Sequence, residues 1–498
     1  MSVERNSPLE IDPEDFRRLG HDLVDRIAGL LAALRDTPVA RAATPAQVRA
    51  VLPPDPVPET GADPAELLAE ASRLLFEYSS FNAHPRFFGY ISGAPAPIGI
   101  LADLLASAIN ANVSGWTRSP MASEIERQTI RWIAQLLDYP DDCGGLLVSG
   151  GNTANVVGIL AARRAMAGPE IRTAGITTAE YAGLTLYASE ETHVWIRKAA
   201  DMGGFGTDAI HWIPTDDRQR MDVAALERRI AEDREAGLRP FLVVATAGTV
   251  GTGAIDPIID IERVCRRENL WLHIDAAYGG PAVLLEDAPD DLQAIARADS
   301  IAIDPHKWLY APLEAGSILV RDADALREAF RYRPTYYDYG EDTAADQRTN
   351  FFEWGPQNSR GFRALKVWLA LRHAGRSGYR QMIADDIAAA RAMYAAAAAE
   401  PEIQPFSCNL SITTFRYVPP HLQTTADEPD TTRTLNELNA AILRRIQADG
   451  NVFLSNAVVD GKYLLRACIV NFRTTLADAE AVLPEVVRIG RELTQSMK

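Results

Sequence analysis

The sequence contains few cysteines and relatively little positive charge. Its four cysteines, Cys143, Cys265, Cys408 and Cys468, are scattered through 498 residues, with no close pair of the kind found in metal or redox motifs. Lysine and arginine total 50 against 67 acidic residues, and the net charge of -17 would repel a phosphate backbone or an anionic membrane. We therefore expect no metal site and no nucleic acid or membrane partner, and the isolated cysteines are typical of a reducing cytoplasm.

The sequence also lacks a long uncharged apolar run. No segment is long enough to span a bilayer, and residues 1–5 form neither a basic flank nor an apolar signal core. Because 47% of the residues are hydrophobic, the chain can nevertheless bury a large core. We expect a soluble, acidic, cytoplasmic enzyme.

Two amphipathic helices are predicted near the start of the chain. Asp12 and Asp63 each precede a proline, which is followed by apolar residues at helical spacing. The segment between these helices is rich in alanine and in proline, especially at 53–58, and is predicted to be an extended connector. We assign residues 1–88 to an N-terminal helical arm that packs on a partner subunit.

The middle of the chain alternates short β-rich runs with amphipathic helical stretches. This order predicts an α/β domain with a mainly parallel sheet, which we assign to residues 89–375. Helix-rich sequence with shorter strands follows, and it predicts a smaller α+β C-terminal domain at 376–498. The strands predicted for the two domains lie at 146–148, 184–187, 241–244, 271–274, 300–303, 411–415 and 463–466.

Ligands of open parallel sheets bind beyond the carboxyl ends of the strands, and a glycine-rich loop follows the first predicted strand. Gly150 and Gly151, within 149–155, come directly before a predicted helix. The N-terminus of a helix exposes unpaired N–H groups and the positive end of the helix dipole, so it can bind a phosphate without a lysine. By itself, a Gly-Gly pair before a helix is more often only a turn.

Two ionisable residues follow later strands. Asp275 closes the fourth predicted strand and precedes small residues that leave room for a flat group. A buried carboxylate needs a cationic partner, and a pyridinium N–H would be one. Lys307 follows the fifth strand and is flanked by Trp308 and Leu309, so its amine is predicted to be buried and able to attack an aldehyde. Taken singly, Asp275 could be a helix cap or part of a structural ion pair, and Lys307 could be a surface residue.

In this order along the chain, the loop, the aspartate and the lysine resemble the group II pyridoxal-phosphate decarboxylases, the family of aromatic L-amino acid and glutamate decarboxylases. The motifs Asp-Ala-Ala-Tyr at 275–278 and Pro-His-Lys-Trp at 305–308 are specific to that family. Further matching motifs lie at 16–20, 84–90, 119–126 and 362–366. The resemblance implies the type I fold of pyridoxal-phosphate-dependent transferases, pyridoxal 5'-phosphate as cofactor, and a homodimer with active sites at the subunit interface. The implied reaction converts a small-molecule L-amino acid to its amine and CO2.

The resemblance also implies roles for individual residues. Lys307 would hold the cofactor as a Schiff base, Asp275 would contact its pyridine nitrogen, and His193 would stack on its ring. Ala277 would pack on the opposite face of the ring, and Thr246 would border both cofactor and substrate. The other residues expected to contact the cofactor are Gly151, Asn152, Asp304 and His306.

Asp304 departs from the family pattern, because better-known members usually carry asparagine beside the cofactor phosphate. A carboxylate there would repel the phosphate unless it were protonated or paired. We therefore expect Asp304 to face a nearby basic group.

The type of reaction depends on Tyr336. By resemblance, it matches a loop tyrosine that delivers a proton to the α-carbon after CO2 has left. Aldehyde-forming relatives lack this tyrosine or the stacking histidine, so Tyr336 and His193 together favour a decarboxylase over an aldehyde synthase. With Lys307 and Asp275 also present, a non-catalytic scaffold is the least favoured interpretation.

Several residues bear on the substrate. Those expected to line its pocket are Tyr90, Asn112, Ser114, Trp116 and Ser359. Asn112 and Ser114 replace apolar residues of the animal enzymes, which predicts a roomier or more polar pocket. Ser359 matches a serine of plant enzymes that favour phenolic substrates, and this favours a tyrosine-like side chain. An acidic substrate is the alternative, because Arg118 could pair with a side-chain carboxylate.

Overall fold

The structure is a computed structural model that describes residues 7–176, 178, 181–333 and 348–496, and it contains two β-sheets with helices packed on them. The α-helices are α1 (Pro13–Ala33), α2 (Pro45–Val51), α3 (Pro64–Tyr78), α4 (Pro97–Ile109), α5 (Pro120–Leu136), α6 (Gly151–Ala167), α7 (Ile171–Ala174), α8 (Trp195–Met202), α9 (Val223–Glu235), α10 (Ile258–Glu268), α11 (Asp290–Gln293), α12 (Ala323–Phe330), α13 (Ala364–Ala399), α14 (Pro429–Asp449), α15 (Leu476–Glu480) and α16 (Val482–Ser496). The strands are β1 (Gly144–Val148), β2 (Leu184–Ser189), β3 (Ile210–Ile213), β4 (Arg239–Thr246), β5 (Trp271–Asp275), β6 (Ser300–Ile303), β7 (Gly316–Val320), β8 (Ile403–Asn409), β9 (Ile412–Tyr417), β10 (Ser455–Val459) and β11 (Lys462–Cys468). Within the described ranges, no helix combines the length and the apolar character needed to cross a membrane.

Both predicted N-terminal helices are present as α1 and α3. The carboxylates of Asp12 and Asp63 accept hydrogen bonds from backbone N–H groups of the first turn, as their positions predict. The prediction of an extended connector between them is wrong in part, because α2 lies within it. Thr44 and Gln47 form a reciprocal capping box that starts this short helix, and the proline-rich stretch 53–58 that follows is not helical.

The large sheet has seven strands in the order β1-β7-β6-β5-β4-β2-β3. β7 runs antiparallel to both of its neighbours, and the other pairs are parallel, which confirms a mainly parallel sheet. All five strands predicted for this domain are present. β3 and β7 were not predicted from the sequence, because β3 is only half-buried at its two central residues and β7 follows β6 without an intervening helix.

The small sheet is antiparallel, with four strands in the order β10-β11-β9-β8. Helix α13 leads into it, and its backbone leaves the helical conformation at Gly375, where φ is 65° and ψ is 168°. This break lies at the domain boundary predicted from the sequence, although the boundaries themselves stay predictions. The segment of α13 after the break includes the alanine tract, which is helical as predicted, and α13 packs on β8 and β9.

The carboxyl ends of the central strands meet at one edge of the large sheet. Thr246, the last residue of β4, lies beside Asp275, the last residue of β5, and Asp304 directly follows β6. Helix α6 begins just after β1 and packs across β4, β5, β6 and β7, so its N-terminus lies at the same edge. This arrangement brings segments that are far apart in sequence to one place.

Candidate active site

A cavity of about 400 Å³ lies at this edge of the large sheet. The predicted residues that line it are Tyr90, Gly151, Asn152, His193, Thr246, Asp275, Ala277, Asp304, His306 and Lys307. The residues predicted to bind the cofactor therefore share one cavity, although they come from separate segments of the chain.

Asp275 is held by two hydrogen-bond donors at the end of β5 and is only 7% exposed. Its Oδ2 accepts a bond of 2.6 Å from Trp195 Nε1, and its Oδ1 accepts one of 3.1 Å from the backbone N–H of Ala277. A carboxylate has room for about four hydrogen bonds, so lone pairs remain for a donor in the cavity. The N–H of a protonated pyridine ring is a donor of the right kind.

A neutral histidine lies on the same face of β5 as Asp275, two residues earlier. His273 is fully buried, with Nδ1 2.7 Å from Ser300 Oγ and Nε2 2.7 Å from Asn155 Oδ1. Burial lowers the pKa of His273 to about 4, so the ring is uncharged near pH 7. Its centroid lies 6.0 Å from that of Trp195 in an edge-to-face contact. This contact helps to hold the indole that donates to Asp275.

Lys307 is paired with Asp304. The lysine Nζ lies 3.0 Å from Asp304 Oδ2, and the lysine side chain is 21% exposed. His306 Nε2 lies 3.8 Å from the same oxygen, while its Nδ1 is 2.6 Å from the carbonyl oxygen of Ala315, to which it donates its proton. Asp304 therefore faces basic groups, as expected from its departure from the family pattern.

The glycine-rich loop packs directly against this ion pair. Gly150 precedes α6 and provides no side-chain cap, so the N–H groups at the start of this 17-residue helix remain as possible donors to an anion. A Cβ atom on Gly151 would lie 2.7 Å from Asp304 Oδ2, which is too close for any larger residue. Asn152 follows in the first turn and also lines the cavity. The loop thus supplies an anion-binding helix end beside the lysine.

His193 lies just before α8, two residues before Trp195. Burial lowers the pKa of His193, the charge of Asp275 raises it, and that of Lys307 lowers it again. The imidazole is therefore neutral near pH 7, and its Nδ1 accepts a bond of 3.3 Å from the backbone N–H of Trp195. A neutral ring fixed at the wall of the cavity is suited to stack on a flat heterocycle.

Of the residues predicted to bind the substrate, Tyr90 lines the cavity, and the other four do not line it within this single chain. Asn112 Oδ1 accepts a bond from the backbone N–H of Arg360 at 3.2 Å. Ser114 is buried, and Trp116 donates to Glu124 at 2.9 Å. Ser359 is exposed directly before Arg360. Tyr336, the predicted proton donor, lies outside the described residues.

The cavity also contains residues that the sequence analysis missed. Asn155 lies one helical turn after Gly151, on the same face of α6, and that spacing could have identified it. Tyr278 lies three residues after Asp275 within a motif already recognised. Trp195 had no signal in the sequence, because its contact with Asp275 depends on how α8 packs on β5.

The site fits pyridoxal phosphate on several independent grounds. Thr246 Oγ1 is a buried polar atom without a hydrogen-bond partner, and Thr246 lines the cavity. The cavity further combines an amine, a carboxylate with unused lone pairs and a helix N-terminus. Those are the groups needed for an aldehyde, a pyridine nitrogen and a phosphate, respectively.

The fold and the site together define a pyridoxal-phosphate-dependent enzyme of fold type I. The chain belongs to the family described as the pyridoxal-dependent decarboxylase conserved domain, whose model matches residues 45–418. The protein is accordingly an amino acid decarboxylase, a carboxy-lyase with pyridoxal phosphate as its cofactor.

Known proteins resemble the chain over nearly its whole length. The aromatic-L-amino-acid decarboxylase of Bacillus atrophaeus is 35% identical over 489 residues, covering 98% of each protein. The phenylacetaldehyde synthase of Petunia hybrida is 29% identical and covers 92% of this chain and 91% of its own. The crystal structure of Oryza sativa TDC with PLP and tryptamine superposes with a TM-score of 0.88 at 27% identity, over 98% of this chain and all of that one (100%).

Proposed function

We propose that the protein decarboxylates an aromatic L-amino acid with a tyrosine-like side chain and releases the amine and CO2. The observation that carries this proposal is the single cavity shared by Lys307, Asp275 and His193. Its aromatic part is supported by the Bacillus atrophaeus relative, which is named an aromatic-L-amino-acid decarboxylase and aligns with 98% of this chain. Ser359 supports a phenolic side chain by its match to plant enzymes.

Each side chain has a distinct task in this proposal. The Lys307 amine attaches the cofactor, the Asp275 carboxylate accepts a hydrogen bond from the ring nitrogen, and Gly151 and Asn152 bind the phosphate through the start of α6. When bound, pyridoxal phosphate supplies an electron sink for the pair released as CO2 departs. The cavity walls must hold the substrate carboxylate perpendicular to the ring.

Proton delivery decides between amine and aldehyde as products. We assign the donation of a proton to the substrate α-carbon to Tyr336, with the neutral imidazole of His193 as a relay at the cavity wall. An aldehyde synthase is the second candidate, because the Petunia hybrida relative is named one. His193 favours the decarboxylase, because aldehyde-forming relatives lack either this histidine or the tyrosine.

The charges of the cavity favour an uncharged substrate side chain over an acidic one. The described residues that line it include two carboxylates, Asp275 and Asp304, and one lysine, Lys307, but no arginine. Arg118, the residue that could favour an acidic substrate, does not line the cavity of its own chain, but its Nη1 lies 3.3 Å from Ser114 Oγ. It would accompany Ser114 in the dimer proposed below, so an acidic substrate stays the alternative that the substrate screen tests.

We also propose a homodimer with the active sites at its interface. Helices α1, α3 and α4 expose apolar side chains that a partner subunit would bury: Phe16, Leu67, Leu75, Leu101, Leu104, Leu105 and Ile109 are each at least 50% exposed. Asn112, Ser114 and Trp116 follow α4 directly, so in such a dimer they would serve the cavity of the other subunit. Size-exclusion chromatography with light scattering tests the dimer, and a monomer at micromolar concentration would refute it. A cytoplasmic location stays a prediction.

The central test is a substrate screen of the purified holoenzyme. All standard amino acids and dopa are supplied, and CO2, amine, aldehyde and hydrogen peroxide are quantified. We expect tyrosine or dopa to give the highest kcat/KM and equal amounts of amine and CO2. Preference for glutamate or aspartate would refute the aromatic assignment, and aldehyde with peroxide as main products would refute the amine.

Lys307 can be tested against a closely matched lysine. Lys462 Nζ also lies 3.0 Å from an aspartate, Asp427, and its side chain is 24% exposed, but it is in the small domain away from the cavity. Lys307→Ala should abolish both the visible absorption of the attached cofactor and turnover, whereas Lys462→Ala should retain both. Full turnover in Lys307→Ala would refute the proposed site.

A further inference from the structure

A buried carboxylate of the small domain contacts the turn that contains Lys307. Asp386 lies on α13 beyond the break at Gly375 and is 3% exposed. Its Oδ2 accepts bonds from Trp308 Nε1 at 2.8 Å and from the Tyr310 hydroxyl at 2.7 Å. One oxygen atom of Asp386 thus accepts hydrogen bonds from both Trp308 and Tyr310, which follow Lys307 in the turn.

The turn itself has a backbone conformation that needs support. Tyr310 has φ of +52°, in the left-handed region that residues other than glycine rarely adopt. Its N–H donates to the carbonyl oxygen of Lys307 at 3.1 Å and closes the turn. Its ring stacks on Tyr379 with centroids 6.2 Å apart. The bond to Asp386 fixes the far end of this side chain, so it stabilises the turn in its observed form.

The indole ring of Trp308 is held both by the hydrogen bond from its Nε1 and by stacking on its face. The indole is fully buried and stacks on Tyr278, with centroids 4.9 Å apart and planes 14° from parallel. Tyr278 lines the cavity, and its hydroxyl oxygen is 2.7 Å from Ser411 Oγ at the start of β9. A shift of the indole would therefore alter both the cavity wall and the direction of Lys307.

We propose that Asp386 is a positioning residue for Lys307: by binding Trp308 and Tyr310 together, it orients the catalytic amine and makes that orientation depend on docking of the small domain. This inference rests on the role proposed above for Lys307. It assigns a function to a carboxylate that lies outside the cavity lining and outside the motifs of the sequence analysis.

The surroundings of Asp386 determine how its effect depends on pH. Burial raises its pKa to about 7, and the bonds from Tyr310, Trp308 and the backbone N–H of Asn471 oppose that rise. The remaining facing groups are Asp385 on α13, whose charge raises the pKa further, and Tyr379 and Cys468, which are both buried. The ionised carboxylate satisfies all three donors. Its protonation below pH 7 would leave the turn less firmly held.

The experiment follows the attachment of pyridoxal phosphate to the cofactor-free protein. In this step the Lys307 amine condenses with the cofactor aldehyde and releases water, and a visible absorption band reports it. We expect Asp386→Leu to lower the attachment rate and kcat about tenfold, which corresponds to about 1.4 kcal/mol of barrier, and to leave KM within about twofold. Asp386→Asn retains an acceptor oxygen but cannot ionise, so it should show a measurable loss of rate, smaller than that of Asp386→Leu, and no longer show the wild-type change near pH 7.

A matched control separates positioning from general stability. Asp233 is 2% exposed and accepts a bond of 2.6 Å from the Tyr187 hydroxyl, but neither residue lines the cavity. Asp233→Asn should lower the thermal midpoint and leave the attachment rate unchanged. Equal effects of Asp233→Asn and Asp386→Leu on attachment, or a wild-type rate in Asp386→Leu, would overturn the proposal.

A second variant covers the case in which Asp386→Leu does not fold. Tyr310→Phe removes one donor and keeps the ring. If Asp386 acts through Tyr310, the losses in Tyr310→Phe and Asp386→Asn will not add in the double variant, and additive losses would contradict this route. Retention of the absorption band in Lys307→Ala would instead show that the assignment of Lys307 itself is wrong, whatever the result at Asp386.

Discussion

The amine of Lys307 lies 3.0 Å from the carboxylate of Asp304, and this carboxylate packs against Gly151 at the start of α6. This carboxylate neutralises the lysine in the cofactor-free protein. It also lies close to the N-terminus of α6, where the positive end of the helix dipole would attract a phosphate. In the proposed site, the cofactor phosphate and Asp304 would therefore compete for the same helix end.

Asp304→Asn should bind pyridoxal phosphate more tightly, because it removes a negative charge beside the phosphate position. We expect the dissociation constant to fall about fivefold to tenfold, corresponding to about 1 kcal/mol at the effective dielectric constant of a partly buried site. Fluorescence titration of the cofactor-free protein measures it. Asp322→Asn, which changes the cap of α12 outside the cavity, should leave the constant unchanged. Weaker binding by Asp304→Asn would mean that the carboxylate assists the phosphate instead.

Gly151→Ala should abolish cofactor binding, because the new methyl group would lie 2.7 Å from Asp304 Oδ2. Asp304 is buried and held by Lys307, so the clash displaces the first turn of α6, whose N–H groups form the proposed phosphate site. Gly361→Ala is a suitable control, since nothing lies within 4 Å of its Cβ position. Equilibrium dialysis with pyridoxal phosphate measures both variants. Binding by Gly151→Ala at wild-type affinity would place the phosphate elsewhere.

The strand-end residues of the site were predictable from the sequence because buried parallel strands appear as short apolar runs. Asp275 and Lys307 follow such runs, so the rule that ligands bind beyond the carboxyl ends of strands identified them. The glycine loop was identified for a related reason, since Gly151 is the first residue of α6. Asp304 was expected to face a basic group and does so.

The residues that support the site were not predictable, because their roles depend on packing between distant segments. Trp195 donates to Asp275 across 80 positions and Asp386 accepts from Trp308 across 78, and no local pattern specifies either pair. Helix α2 was not predicted for a different reason. Its capping box, formed by Thr44 and Gln47, is short and lies in a segment whose prolines favoured an extended chain.

Trp195→Phe should weaken cofactor binding, because Asp275 would lose the donor that orients its carboxylate. Removing one donor from a buried carboxylate costs about 1–3 kcal/mol, so we also expect a lower thermal midpoint. Trp271→Phe is the matched control. Trp271 lies on the same strand as Asp275, its indole N–H donates a bond of 2.8 Å to Ser300 Oγ, and it does not line the cavity. Both variants should lose stability, and the dissociation constant for pyridoxal phosphate should rise in Trp195→Phe alone. Equal constants in the two variants would argue against this role of Trp195.

His273 should make the stability of the cofactor-free protein depend on pH in the acid range. Burial lowers its pKa from 6.5 to about 4, so the unfolded chain binds the proton more strongly than the folded one. The contribution of His273 to the free energy of unfolding should therefore rise with pH between about 4 and 6.5 and stay constant above that range, with a total change of up to about 3 kcal/mol.

His273→Gln should remove this contribution while retaining groups that can hydrogen-bond to Ser300 and Asn155. The raised pKa of Asp386 contributes a slope of opposite sign, but it is present in both proteins and cancels in the difference between them. Thermal midpoints measured from pH 4 to pH 8 test the prediction, with exposed His21→Gln on α1 as control. If the pH dependence of the thermal midpoint in His273→Gln equals that of the wild type, the titration of His273 does not contribute to it.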